Sequence, residues 1–123
     1  MKLNPDCIRY ILLTLEPITS HSEDVFINYG NYEKYCGIYS EEEFFYHLEQ
    51  CVNFKYIYAT FSIKSFRIKD LTPKGHTFLA DIKSDTNWNK TKEIANKIGS
   101  FSLDTLGNIA TNVISSLITK NFQ

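Results

Sequence analysis

Residues 39–79 read YSEEEFFYHLEQCVNFKYIYATFSIKSFRIKDLTPKGHTFL, and this stretch predicts a helix, a β-hairpin and a second helix. Ser40 is a suitable helix cap, since its hydroxyl can accept a hydrogen bond from the first turn. Glu43, three residues later, can reach back to the Ser40 N–H and complete a capping box. The glutamates between them place negative charge at the positive end of the helix dipole. We therefore expect a helix over residues 40 to about 54.

Two short strands and another helix follow. Residues 56–61 and 65–71 alternate between apolar and polar side chains, a period of two that is typical of antiparallel strands with one covered face. Thr72 and Pro73 then mark a helix start, with Thr72 as the cap and proline at the first position, where its missing N–H costs nothing. Helix, hairpin and helix in this order are typical of a winged helix.

Cap residues also predict helices at both ends of the chain. Asn4 precedes a helix that should end near Glu16, because the following proline disfavours helical geometry in the residue before it. Asp85 is predicted to cap a helix that stops before Gly99, and Ser102 to cap the last helix. The pattern predicts an α+β fold with a winged helix-turn-helix-like core that is extended by two C-terminal helices.

Residues 18–38 show no clear helical period. Residues 25–27 form a short β-prone run, residues 28–31 carry a turn signal, and residues 32–38 are suitable for a second short strand. A winged helix normally carries its second helix here. The sequence leaves open a very short helix or a β-insertion in its place.

Composition limits the class of protein. The chain has 123 residues, 43% of them hydrophobic, which is enough for a packed core. We divide it into a core of residues 1–84 and a helical extension of residues 85–123, packed on that core. Three cysteines without a C-x-x-C pair are interpreted as small buried hydrophobes in a reducing cytoplasm. No signal peptide is recognisable, and no apolar stretch reaches the about 18 residues of a membrane span.

Several motifs together resemble a known family. They are residues 39–43 (YSEEE), 47–48 (HL), 68–76 (IKDLTPKGH), 85–92 (DTNWNKTK) and 99–104 (GSFSLD). The chain resembles an uncharacterised family of small proteins from Gram-positive bacteria and their phages, carried as a domain of unknown function. The family's function is not established, so the resemblance implies a winged-helix-like fold and a mobile-element setting rather than an activity.

One position departs from the winged-helix pattern. In winged helices the helix before the hairpin often ends with a glycine followed by two apolar residues, whereas here Lys55 precedes Tyr56 and Ile57. A side chain disfavours the left-handed conformation that such a helix end uses. We therefore expect the helix end, and with it the presentation of the hairpin, to differ from the usual arrangement.

The first functional hypothesis is a DNA-binding transcriptional regulator of a phage or mobile element. The helix that Ser40 caps would enter the major groove of double-stranded DNA. The residues best placed to contact bases or phosphates are Tyr46, His47, Gln50, Lys64, Arg67, Lys69 and Lys74. Two observations oppose this hypothesis: residues 41–43 are glutamates that would face phosphates, and the net charge of −1 lacks the basic excess of a compact DNA binder. An acidic, solvated helix face is the alternative interpretation.

The second hypothesis is a protein-interaction module that binds a host or phage factor. Tyr56 and Tyr58 would supply an adhesive surface, because tyrosine combines a large contact area with a hydrogen-bonding tip. Separately, Leu106, Val113 and Leu117 belong to an apolar seam with alternating spacings of three and four. This seam predicts a homodimer through the last helix.

Catalytic and metal-binding motifs are lacking in the sequence. His21, His47 and His76 have no metal-ligand spacing with one another or with the cysteines. No glycine-rich phosphate loop, H-E-x-x-H or G-x-S-x-G motif is present. We therefore expect no enzymatic activity, no cofactor and no metal.

Overall fold

The computed structural model describes residues 1–122. The helices in this part of the chain are α1 (Pro5–Leu15), α2 (Glu41–Asn53), α3 (Pro73–Ile82), α4 (Asp85–Ile98) and α5 (Leu103–Asn121). The strands are β1 (Val25–Asn28), β2 (Ile57–Ser62) and β3 (Ser65–Leu71). The predicted α+β class is confirmed. The chain divides into two compact units, Met1–His76 and Thr77–Gln123, and the division falls inside α3.

Side-chain caps begin the helices. The predicted caps that are confirmed are Asn4, Ser40, Thr72 and Ser102. In each case a side-chain oxygen accepts a hydrogen bond from a backbone N–H of the first turn, at 2.9–3.2 Å. The prediction for α4 is wrong by one residue, because Ser84 is its cap and Asp85 is its first helical residue.

The three strands form one antiparallel sheet in the order β1–β3–β2. The β-prone run that the sequence predicts is β1, which pairs with β3. The stretch after β1 does not form the second short strand that its composition allows, since Tyr32–Lys34 is a single 3-10 turn. The sequence leaves open a very short helix or a β-insertion within residues 18–38. The structure contains both a short strand, β1, and a very short helix, Tyr32–Lys34.

The core of the first unit lies where α1 and α2 pack on each other and on the sheet. The predicted apolar face of α1 is confirmed, since Ile8, Ile11, Leu12 and Leu15 are all buried. The three cysteines are buried free thiols, as interpreted from the sequence. Burial raises the pKa of Cys7 to about 12 and also raises the pKa of Cys51. At neutral pH both thiols therefore stay protonated and act as apolar side chains.

The end of α2 differs from our expectation. Lys55 adopts the left-handed conformation with φ +64°, although its side chain disfavours it. The Tyr56 N–H donates to the Cys51 carbonyl at 2.9 Å and the Lys55 N–H to the Val52 carbonyl at 3.0 Å, the paired bonds of a Schellman motif. The expected deviation is therefore wrong. Tertiary hydrogen bonds account for the difference, because the Thr72 hydroxyl donates to the Lys55 carbonyl at 2.5 Å.

The first turn of α3 packs closely on this helix end. The Thr72 N–H donates to the Tyr56 carbonyl at 2.9 Å, and the Lys74 Nζ donates to the Phe54 carbonyl at 3.2 Å. A Cβ on Gly75 would lie only 2.0 Å from the Tyr56 carbonyl oxygen. The Leu-Thr-Pro-Lys-Gly motif thus joins the end of α2 to the start of α3, and its glycine is required by close backbone approach.

In the second unit α4 and α5 pack on each other. Gly99 ends α4 in the left-handed conformation, with φ +84° and its N–H donating to the Ala95 carbonyl, which confirms the predicted helix stop. No helix within residues 1–122 is long and apolar enough to cross a membrane.

Gly75→Ala tests the close approach between Tyr56 and α3. We expect the free energy of unfolding to fall by about 2–3 kcal/mol, because the new methyl group overlaps a backbone carbonyl that cannot move alone. Urea denaturation of the purified chain measures this. Gly30→Ala is the matched control, since its methyl group would meet only the Asn28 side chain, at 3.2 Å. A Gly75→Ala variant as stable as the control would contradict the described packing.

Candidate functional site

A surface groove of about 450 Å³ lies between α2 and the β2–β3 hairpin. The α2 side consists of Glu42, Phe45, Tyr46 and Glu49, whose spacing of i, i+3, i+4 and i+7 places them on one helix face. The hairpin side consists of Phe61, Ser62, Ile63, Lys64 and Phe66. We call this feature the α2–hairpin groove.

Aromatic rings form the floor of the α2–hairpin groove. Phe66 is stacked between two neighbours, with its ring centroid 5.9 Å from that of Phe45 and 5.0 Å from that of Phe61. The interplanar angles are 17° and 14°, close to the offset-stacked geometry that aromatic pairs prefer. Phe61 remains 40% exposed. The floor is therefore a fixed apolar surface that a ligand can reach.

The tip of the hairpin is tied to the start of α2. Lys64 lies at the turn with φ +52°, and its Nζ lies 3.2 Å from a Glu41 carboxylate oxygen. The same ammonium group sits 4.3 Å above the centroid of the Tyr29 ring. The neighbouring Ile63 is 91% exposed. An isolated exposed isoleucine is ordinary, but Ile63 extends the aromatic floor into a continuous apolar patch.

The charge of the α2–hairpin groove is negative. Glu42 and Glu49 are both exposed, and two helical turns place them about 10 Å apart along the axis. Lys64 is the one cation among the lining residues that the structure describes, and Glu41 already neutralises it. Such a groove repels phosphate groups and attracts cations.

The predicted base-contacting residues of α2 differ in position. Tyr46 and Gln50 are half-exposed, and Tyr46 lines the groove. The prediction that His47 faces outward is wrong, because this side chain is fully buried. Its Nε2 accepts a hydrogen bond from the Asn4 N–H at 2.7 Å, which leaves Nδ1 to donate to the Glu43 carbonyl, also at 2.7 Å. His47 therefore joins the start of α1 to α2.

Most of the predicted phosphate-binding cations already interact with other groups of the same chain. Arg67 forms an ion pair with Asp24 at 2.6 Å. Lys74, besides its bond to the Phe54 carbonyl, sits 3.5 Å above the centroid of the Phe54 ring. Lys69 is exposed and has no ion pair or hydrogen bond of its side chain within residues 1–122. Of the predicted cations Lys64, Arg67, Lys69 and Lys74, only Lys69 thus has a side chain that is not paired within the described residues.

The two tyrosines predicted to form an adhesive surface lie in different environments. Tyr58 is 54% exposed, whereas Tyr56 is buried, so the prediction for Tyr56 is wrong. Tyr56 precedes β2 and belongs to the bend at the end of α2, where the strand alternation does not apply. Tyr58 borders a small pocket of about 260 Å³ together with His21, Lys69 and Asp70. Within residues 1–122 no group of three or more histidine, cysteine or acidic side chains could hold a metal ion.

Most of the apolar seam of α5 is buried within the protein. Leu106 and Val113 are buried, so the prediction that they face a second subunit is wrong. Leu117 is 40% exposed and borders a groove of about 310 Å³ between α4 and α5. Thr86 and Asn87 at the start of α4 line this groove together with Val113 and Leu117, and the next residue, Ile118, is 54% exposed.

A family model described as hypothetical protein (DUF2513) matches residues 2–102. Neither the comparison with curated proteins nor the comparison with solved structures finds a match.

His47→Ala distinguishes a packing histidine from a recognition residue. We expect the free energy of unfolding to fall by about 2–4 kcal/mol, because the variant leaves a cavity and an unsatisfied Asn4 N–H. Gln50→Ala, on the same helix but half-exposed, is the control and should change stability by less than about 0.5 kcal/mol. Thermal or urea unfolding measures both. Equal stability of the two variants would contradict the buried position of His47.

Proposed function

We propose that this chain, which belongs to the hypothetical protein (DUF2513) family, is a non-enzymatic protein-interaction module that uses the α2–hairpin groove. The observation that supports this most directly is the chemistry of the groove. The floor of the groove consists of aromatic side chains and its charge is negative. This combination favours binding of a protein segment and disfavours binding of a phosphate backbone.

We also propose that the first unit is a winged-helix variant. The order of α1, β1, α2 and the β2–β3 hairpin supports this, as does a sheet in which β1 lies beside the hairpin. In this interpretation the Tyr32–Lys34 turn takes the place of the helix that normally precedes the recognition helix. On this proposal α2 and the hairpin keep the positions of recognition helix and wing but bind a different class of ligand.

The pairing of cationic side chains with carboxylates of the same chain supports a protein partner rather than DNA. In a DNA-binding winged helix, basic residues on the hairpin would contact phosphates. In this chain Lys64 and Arg67 are instead neutralised by Glu41 and Asp24. The resemblance to small proteins of Gram-positive bacteria and their phages motivates placing the partner among host or phage proteins.

A DNA titration separates this proposal from the competing regulator hypothesis. We expect no binding of labelled mixed-sequence duplex DNA even at about 50 mM salt, where phosphate contacts are strong. Fluorescence anisotropy of the labelled duplex measures this. Binding that weakens steeply with salt and is lost in Lys69→Glu would favour a DNA-binding regulator instead.

A matched pair of isoleucine variants tests the use of the groove. Ile63 and Ile38 are 91% and 92% exposed, but only Ile63 borders the groove. We expect Ile63→Asp to reduce capture of the partner from host lysate by at least about tenfold, the effect of losing about 1.4 kcal/mol of binding free energy. Ile38→Asp should capture as the wild type does. Quantitative mass spectrometry of retained proteins measures this, and unchanged capture by Ile63→Asp would contradict the proposal.

A further inference from the structure

Resting on the proposed function, we infer that the α2–hairpin groove takes a short peptide segment of defined chemistry. The segment carries one large apolar anchor with a cationic side chain, lysine or arginine, on each side of it. The two cations lie about 10 Å apart, because they pair with carboxylates separated by two helical turns. Three features of the groove lead to this inference.

The first feature is a place for the anchor. The stacked rings of Phe61 and Phe66 form its floor, and the exposed Ile63 rises beside them. The groove volume of about 450 Å³ falls in the range of sites that enclose most of a small ligand's surface. An aliphatic or aromatic side chain seated there would cover Phe61 and Ile63, the exposed apolar side chains of this patch.

The second feature is the state of the acidic residues. Glu41 forms an ion pair with Lys64. Glu42 and Glu49 are exposed, and neither has an ion pair in the part of the chain that the structure describes. These two carboxylates lie at either end of the groove face of α2, with Phe45 and Tyr46 between them. They therefore bracket the apolar floor with negative charge.

The third feature is rigidity. The stacked rings of Phe45 and Phe66 hold α2 against the hairpin, and the Lys64–Glu41 ion pair adds a contact at the hairpin tip. At the hairpin base the Thr72 N–H donates to the Tyr56 carbonyl. A groove with both ends fixed imposes its own spacing on a ligand and loses little conformational freedom on binding. Cations about 10 Å apart correspond to positions i and i+7 of a helix or about i and i+3 of an extended strand.

Anchor and charges have different roles. An exposed ion pair strengthens binding by only about two- to fivefold, so most of the affinity comes from the apolar anchor. The carboxylates act mainly through selectivity, because an acidic segment or a nucleic acid would meet uncompensated repulsion at both ends. The inferred ligand is therefore recognised by its charge pattern and held by its apolar side chain.

Selection from a displayed library of random short peptides tests this. The full-length chain, a Glu42→Lys/Glu49→Lys variant and a Glu23→Lys/Glu93→Lys control are immobilised in parallel. The control exchanges two exposed acids outside the groove and changes the net charge equally. We expect wild type and control to enrich peptides with an apolar residue between lysines or arginines, and the groove variant to lose them.

Synthetic peptides make the result quantitative. An enriched peptide should bind the groove variant at least about tenfold more weakly than wild type, the combined effect of two lost ion pairs and new repulsion. Its lysine-to-glutamate derivative should bind the groove variant better than it binds wild type. Circular dichroism melting curves of each variant confirm that the fold is retained.

The outcomes separate the inference from the proposed function. One outcome is that the enriched peptides need Ile63 for binding, lack paired cations and bind both double variants equally. This result would overturn the inferred charge pattern but leave the groove as a protein-binding site. Peptides that bind Ile63→Asp as well as wild type, or no enrichment at all, overturn the groove and the proposed function together. Displacement of an enriched peptide by duplex DNA from the groove would point to a nucleic acid as the ligand.

Discussion

The Thr72 hydroxyl is the contact on which the geometry of the first unit depends. It donates to the Lys55 carbonyl and accepts from the Gly75 N–H, so one side chain joins the end of α2 to the start of α3. Because Gly75 has no Cβ, the Tyr56 carbonyl can approach α3 closely. β2 begins directly after this junction and β3 ends directly before it. The positions of α2 and of both hairpin strands are thus fixed at one place.

Ion pairs within the chain decide what the groove can bind. Lys64 and Arg67 would make the hairpin basic if they were available, but Glu41 and Asp24 hold them. Each pair contributes little to stability because it is partly exposed. Its larger effect is on surface potential, since pairing leaves Glu42 as one of the carboxylates that dominate the groove.

Local signals in the sequence predict the helices and strands, whereas contacts between distant residues determine which side chains are available at the candidate site. Caps and periods located the helices and strands because both depend on neighbouring residues. The polarity of His47 predicts an exposed side chain, although its spacing from Phe44 and Cys51 puts it on the buried face of α2. The conformational preference of Lys55 predicts a different helix end, but a tertiary hydrogen bond to its carbonyl outweighs that preference. The partner of Arg67 is 43 positions away, beyond the reach of any local pattern.

The pairing of β1 with β3 has a consequence for how the chain folds. The β2–β3 hairpin joins neighbouring segments through a short turn, so closing it requires little loop entropy. β1 reaches β3 only across the whole of α2, and such distant contacts form late because their loop-closure entropy must be overcome first. We therefore expect the hairpin wall of the groove to form from local contacts before β1 completes the sheet.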